Sequence, residues 1–345
     1  MKKMMCKVLT ALITLITFLP LSETFAADDV QTIKVAPRVI QLAHGDPPTT
    51  DNNYHKLAAL FAEKVAKATD GAVIIEIFPS GQLGSEVSYY NGMKMGTIDM
   101  AILTSNGFSD RHKMTGFFDI PFVFKNTRVA RAYIDSDIHK GVTAEYPKML
   151  KLRVLGWGEG GFRCTFNNGP VIRSMADYRG LKLRMPGTAS FTKSFTALKA
   201  NPTPMAYSET FTGLSQGAID GILLPILTGY SGRYYEVTKN LTLDNSFYNA
   251  LSICIREDLF KELEPELQKV MIEAAISAGQ EQRLFVQENE GKAIEAMKKV
   301  GVTVVEKFDI AGIRETLEPM YEQMKKKIGD DIFNHSMMFI NAFSD

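Results

Sequence analysis

The sequence predicts an α/β protein with open sheets flanked by helices, organised in two halves. Three observations carry this reading. Short strand-like runs that stop at Gly or Pro alternate with stretches of helical apolar spacing. The alternation occurs on both sides of a glycine-rich run at residues 156–161, without a sequence repeat. A helical pattern from Glu264 to Val300 would extend roughly 50 Å, longer than a single small domain.

The elements follow in order. Val39-Ile40-Gln41-Leu42-Ala43 reads as a buried strand that ends at His44-Gly45-Asp46-Pro47-Pro48. Leu57, Leu60, Phe61 and Val65 give helical spacing over 54–69, with Gly71 as its stop. Val73 to Phe78 is the next strand, followed by a helix from Ser85 to about Met95 and a strand at 100–103. Ligands of open α/β sheets bind at loops beyond the carboxyl ends of strands. That rule puts His44 and the loop Thr104-Ser105-Asn106-Gly107 at a cleft; for His44 a plain loop or capping role is the competing reading. In the second half, strands are expected near 161–167 and 181–185 and a helix near 190–199.

Gly156, Gly158 and Gly161 match a GxGxxG pattern, with Asp177 downstream. A dinucleotide site needs a helix to open at the third glycine, so that its N-terminus can hold the pyrophosphate. Phe162-Arg163-Cys164-Thr165-Phe166-Asn167 reads as a strand instead, and the run is better taken as a hinged crossover between halves. In the long helical pattern, Leu267, Val270, Met271, Ala274, Ala275 and Ala278 form one stripe, continued by Leu284, Phe285, Ile294 and Met297. Two helices broken at Gly279 or Gly291 are the alternative.

The 345 residues suffice for two ordinary domains, and the formal net charge is zero. No basic block points to nucleic acid. The N-terminus has the pattern of a secretory signal over residues 1–26: Lys2, Lys3 and Lys7, an apolar run from Val8 to Leu21, then Thr24-Phe25-Ala26 before a cut. Losing it would leave a net charge of −2 and an exported chain with no segment for membrane insertion. Cys164 and Cys254 remain, and their apolar surroundings favour two buried thiols over a disulfide. HExxH and CxxC are absent, and the five histidines lack metal-ligand spacing, so neither enzyme activity, a metal nor a cofactor is expected.

One short strand stands out. Leu181, Leu183 and Met185 alternate with Lys182 and Arg184, and Pro186-Gly187 stops the run. Arg184 therefore sits at a strand end facing a break, where a rigidly held guanidinium offers a fork that matches a carboxylate. Arg163 lies in a second strand-like stretch. Ser208 is read as an N-cap for the helix reaching Gln216, with Glu209 as a first-turn charge.

Several motifs in the same order resemble the substrate-binding proteins of TRAP transporters, the DctP type. They are Phe78-Pro79-Ser80-Gly81-Gln82-Leu83-Gly84, Asp119-Ile120-Pro121-Phe122, Asp177 to Arg184, Asn201 to Glu209, and Gln216-Gly217-Ala218-Ile219-Asp220-Gly221. The resemblance implies a two-lobed periplasmic binding protein, type II-like, with a long helix spanning both lobes. On that basis residues 27–160 plus about 250–288 form lobe I, and 161–249 plus about 289–345 form lobe II. It also implies a periplasmic location, hinge closure on an organic acid, and delivery to a membrane permease driven by an ion gradient. Arg184 carries over as the carboxylate clamp, Arg163 as a second basic contact, and Tyr207 as an aromatic wall, for which a core aromatic is the alternative.

The chain departs from the pattern after Asp220-Gly221. Members of the family often have Glu-Asn-Pro there, whereas this chain has Leu223-Leu224-Pro225. Leu224 cannot pair with a polar ligand group, and an unpaired group there costs about 1–3 kcal/mol. Thr104 stands where sialic-acid binders carry an acidic contact. The expectation is a monocarboxylate with an apolar or aromatic body, walled by Tyr207, Leu224, Phe166, Phe247 and Tyr248; a C4-dicarboxylate or sugar acid is the alternative. A sensor partner or a periplasmic enzyme are the rival classes.

Overall fold

Local chemistry starts several of the helices. The computed structural model describes residues 32–343 except residue 110, so the signal-like segment 1–26 lies outside the described residues. Strand β1 (Arg38–Ala43) leads to helix α1 (Asn53–Ala68), which begins where the Asn52 side chain accepts from the amides of Tyr54 and His55. Strand β2 (Val73–Phe78) and helix α2 (Glu86–Met95) follow, α2 being capped by Ser85 and stopped by left-handed Gly96. After β3 (Met100–Thr104) come 3₁₀ turns and three short helices: α3 (Thr127–Asp135), α4 (Asp137–Ala144) and α5 (Tyr146–Leu150).

The second half begins with the long strand β4 (Leu152–Asn167). It continues through β5 (Lys182–Met185), α6 (Ala189–Ala197), β6 (Asn201–Pro204), α7 (Tyr207–Ser215), β7 (Gly221–Pro225) and α8 (Ile226–Ser231). A second long strand, β8 (Asn240–Arg256), returns across the molecule. Helices α9 (Glu257–Glu262) and α10 (Pro265–Lys299), strand β9 (Thr303–Val305), and helices α11 (Ile313–Ile328) and α12 (Asp330–Phe343) complete the chain.

The strands pair in the order β2-β1-β3-β8-β4-β7-β5-β6, with β9 beside β8. The β2-β1-β3 and β7-β5-β6 ends are parallel, while β3/β8, β8/β4 and β4/β7 are antiparallel. Thus β4 and β8 carry hydrogen bonding from one half to the other: residues 251–255 of β8 pair with β3, and residues 163–167 of β4 pair with β7. One apolar core lies between α1, β1–β3 and the first half of α10; another lies between β7, α8 and its second half. This is a mixed α/β fold with two lobes and a helix that serves both.

The glycine-rich run lies inside β4, not in an open linker. Its glycines admit neighbours that a side chain would exclude. A Cβ at Gly156 would come within 2.5 Å of the Ala275 carbonyl oxygen, and one at Gly279 within 2.3 Å of that of Trp157. Strand and helix backbones meet there directly. Close approach thus explains Gly279, and α10 runs unbroken through it and through exposed Gly291. The apolar stripe of α10 continues through Phe285, Ile294 and Met297, which pack into the second core, but not through Leu284, which is 57% exposed. Two polar residues, Gln282 and Arg283, are buried beside it. Gln282 accepts from the amide of Glu159 at 2.9 Å and donates to the carbonyls of Glu159 (2.6 Å) and Asn53 (3.1 Å).

Ser208 does not cap α7. The helix begins two residues earlier than that cap implies, at Tyr207, with Ala206 in the cap position and no side-chain cap. Cys164 and Cys254 are both buried free thiols, and burial pushes their pKa values upward.

Candidate functional site

A cavity of about 600 Å3 opens between loops of the two halves. The first half supplies Gly45-Asp46 after β1, Ser85-Glu86-Val87 at the start of α2, and Thr104, Asn106, Gly107 and Arg111 after β3. The second half supplies Arg163 from β4, Arg184 to Thr188 around the end of β5, Met205 to Glu209, and Leu224 with Thr228. Strand ends feed most of these positions, as expected for an open α/β sheet.

Two buried arginines form the basic side. Arg184 is 6% exposed, and its Nε donates to the Met205 carbonyl at 2.9 Å. Its two Nη atoms make no hydrogen bond to any described residue, which leaves the guanidinium fork for a guest. Arg163 is held harder. Its Nη2 donates to Asn249 Oδ1 (2.8 Å) and Asn106 Oδ1 (3.1 Å), its Nη1 reaches the Leu223 carbonyl (3.4 Å), and its guanidinium lies 5.6 Å from the Phe191 ring centroid. Among the described residues neither arginine is ion-paired to a carboxylate within 4.0 Å. Burial, with Arg163 nearby, holds the Arg184 pKa down to about 10, so it stays charged at neutral pH.

Acidic and hydroxyl groups share the cavity. Asp46 is 4% exposed and accepts from Asn52 Nδ2 at 3.1 Å; burial raises its pKa to about 7. Half-buried Glu86 accepts the Thr104 hydroxyl at 2.6 Å and the Thr104 amide at 3.3 Å, and burial raises its carboxyl as well. Asn249 links the two sides, since it accepts from Arg163 and donates to the Tyr54 hydroxyl at 3.1 Å.

Arg184, Arg163, Tyr207, Leu224, Thr104 and Asn106 therefore do converge on one cavity. The other four expected residues do not line it. His44 is fully buried and turned toward α1, its Nε2 3.1 Å from His55 Nδ1; burial and His55 lower its pKa to about 3. Phe166 fills the space left by Gly229, where a Cβ would come 2.3 Å from its ring. Phe247 stacks on Phe191 at 3.9 Å between centroids, so it supports the ring beneath Arg163 from one layer below. The Tyr248 hydroxyl donates to buried Glu159. Each is consumed by packing that local sequence does not reveal.

Sequence reasoning missed Asp46, Tyr54, Glu86, Arg111, Thr228 and the supporting Asn249. Asp46 was within reach, because it lies in the loop after β1 that topology assigns to the cleft. Glu86 was hidden as an ordinary first-turn acid behind the Ser85 cap.

Comparison with known proteins agrees with this architecture. Residues 44–327 match the profile of bacterial extracellular solute-binding protein family 7, DctP. The 2,3-diketo-L-gulonate-binding periplasmic protein of Escherichia coli K12 is 31% identical over 276 residues, covering 80% of this chain and 84% of that protein. The sugar acid binding protein of Advenella mimigardefordensis in complex with galactonate superposes with a TM-score of 0.85 at 28% identity, over 89% of this chain and 99% of that one. A TRAP periplasmic solute-binding protein from Polaromonas sp. JS666, bound to D-erythronate, gives 0.83 at 29% identity, over 87% and 98%. Together with two buried arginines facing an interlobe cavity, these matches make the chain a member of bacterial extracellular solute-binding protein family 7, a TRAP-type solute-binding protein for organic acids.

Proposed function

We propose that this protein captures a hydroxylated organic acid of the sugar-acid class in the periplasm and delivers it to a TRAP membrane permease by closing its two lobes around it. The observation that carries this reading is the free Nη pair of Arg184 in a cavity that also holds Asp46, Glu86, Thr104 and Tyr54. The fork takes one carboxylate through two parallel hydrogen bonds. Acceptor and hydroxyl groups elsewhere in the cavity suit a body rich in hydroxyls. An aromatic body has less support than the sequence suggested, because Phe166, Phe247 and Tyr248 are not among its walls. Leu224, Val87, Pro186, Pro204, Met205 and the Tyr207 ring form its apolar part. Relatives named for 2,3-diketo-L-gulonate, galactonate and D-erythronate favour the same class.

Closure would bend the molecule where β4 and β8 cross between halves, with lobe I at 27–160 plus about 250–288 and lobe II at 161–249 plus about 289–345. Binding then favours the closed form because both lobes contribute contacts. Calorimetry with galactonate, D-erythronate, succinate and phenylpyruvate tests the ligand class. Sugar acids are expected to bind in preference to the other two; binding of phenylpyruvate alone would return the reading to an aromatic acid.

A further inference from the structure

The cavity holds a third guanidinium that a single carboxylate on Arg184 does not use. Arg111 lies in the segment after β3 and lines the same cavity. Its guanidinium carbon sits 3.9 Å from the centroid of the Tyr90 ring on α2, and its Nε donates to the Gly107 carbonyl at 3.3 Å. The ring and the carbonyl together fix its plane, so less side-chain freedom is lost when its Nη atoms engage a guest. Among the described residues it forms no ion pair with a carboxylate within 4.0 Å, although the molecule pairs its arginines freely elsewhere, as at Arg131–Glu159, Arg153–Glu257 and Arg256–Asp99.

We propose that Arg111 is a second anion-binding group, and that the preferred ligand is a hydroxylated acid with an acidic group at each end. One end occupies the Arg184 fork; the other meets Arg111. Two of the cavity carboxylates, Glu86 and Asp46, are already engaged elsewhere. Glu86 is engaged by the hydroxyl and amide of Thr104, Asp46 is engaged by Asn52, and burial favours the neutral form of both. Both guanidiniums line one cavity of about 600 Å3, a volume within the range of small-molecule sites. The orientation follows from burial: Arg184, buried at a strand end, anchors one carboxylate, whereas half-buried Arg111, on a loop, discriminates among bodies by what they carry at their far end.

The inference rests on the organic-acid reading above, and matched ligand pairs separate the two. Galactonate and galactarate share a carbon chain and differ in the far group, as do gluconate and glucarate. Calorimetric titration of the wild-type protein should show at least one diacid binding about tenfold or more tighter than its monoacid, the size expected for one charged hydrogen-bonded contact. Arg111→Gln should bring the diacid-to-monoacid affinity ratio to about one, whatever it does to the absolute affinity for the monoacid, with an unchanged thermal melt reporting an intact fold. Equal affinity within each pair, or a diacid advantage that survives Arg111→Gln, would overturn the role of Arg111 and leave the capture of organic acids standing. Absence of binding by all four acids would overturn both.

Discussion

The Nε of Arg184 is committed to the backbone carbonyl of Met205, 2.9 Å away, and this bond aims the rest of the guanidinium into the cavity. Met205 belongs to the loop that joins β6 to α7, so one lobe orients its own clamp without help from the other. Arg184→Ala should weaken ligand binding by about 2–5 kcal/mol, because a ligand carboxylate would be left desolvated without its partner. Arg184→Lys should restore little of it, since an ammonium cannot reproduce the fork or the Met205 contact. Titration calorimetry with the best ligand of the panel above measures both; affinity close to wild type in the alanine variant would remove Arg184 from the site.

Asp46 should make stability depend on pH. Its folded pKa is raised to about 7 by burial, against about 4 for an exposed aspartate, so the folded state binds this proton more tightly than the unfolded chain. The sign follows: the Asp46 contribution is least unfavourable below about pH 4, and stability is lost as pH rises from there to about 7. Asp46→Asn, which keeps the shape and removes the charge, should raise stability at pH 8 and flatten the profile between pH 4 and 7. Urea unfolding of the ligand-free protein across that range checks it; an identical slope in both proteins would refute the assignment.

Backbone contact between β4 and α10 predicts opposite outcomes for two glycines on one helix. Gly279→Ala pushes a methyl group against the Trp157 carbonyl and should cost about 1–3 kcal/mol or more. Gly291→Ala has nothing within 4 Å of the new methyl and should gain about 0.5–1 kcal/mol from helix propensity. Midpoints of denaturant unfolding would separate them, and equal midpoints would contradict the packing described.

Glu159 is fully buried and is paired through two bonds to Arg131, at 2.5 and 3.0 Å, besides accepting from Tyr248. Arg131→Ala would leave that carboxylate without its cation and should cost about 3–5 kcal/mol. The double variant Arg131→Ala/Glu159→Gln should recover part of the loss, because the uncompensated charge is gone. A double variant no more stable than the single one would argue against the pair as the source of the effect.

Much of this protein was decided by patterns confined to a few neighbouring residues. The alternation of Leu181, Leu183 and Met185 around Arg184 marked a strand, and Pro186-Gly187 marked where it stops; both depend on local backbone preference. The order of motifs likewise pointed to the family, and Arg184, Arg163, Tyr207, Leu224, Thr104 and Asn106 to one cavity. What lay beyond sequence was which side chains packing would take away from that cavity. Phe166, Phe247 and Tyr248 sit in strands as expected, but Gly229, Phe191 and Glu159 claim them, and those partners come from distant parts of the chain. Register shifts in β4, at Val154/Gly156, Glu159/Gly161 and Arg163/Thr165, break the simple in–out alternation by which faces would be assigned. The same limit hid Glu86 and Arg111: their roles depend on the meeting of segments from separate strands, and long-range pairing, not local propensity, sets that meeting.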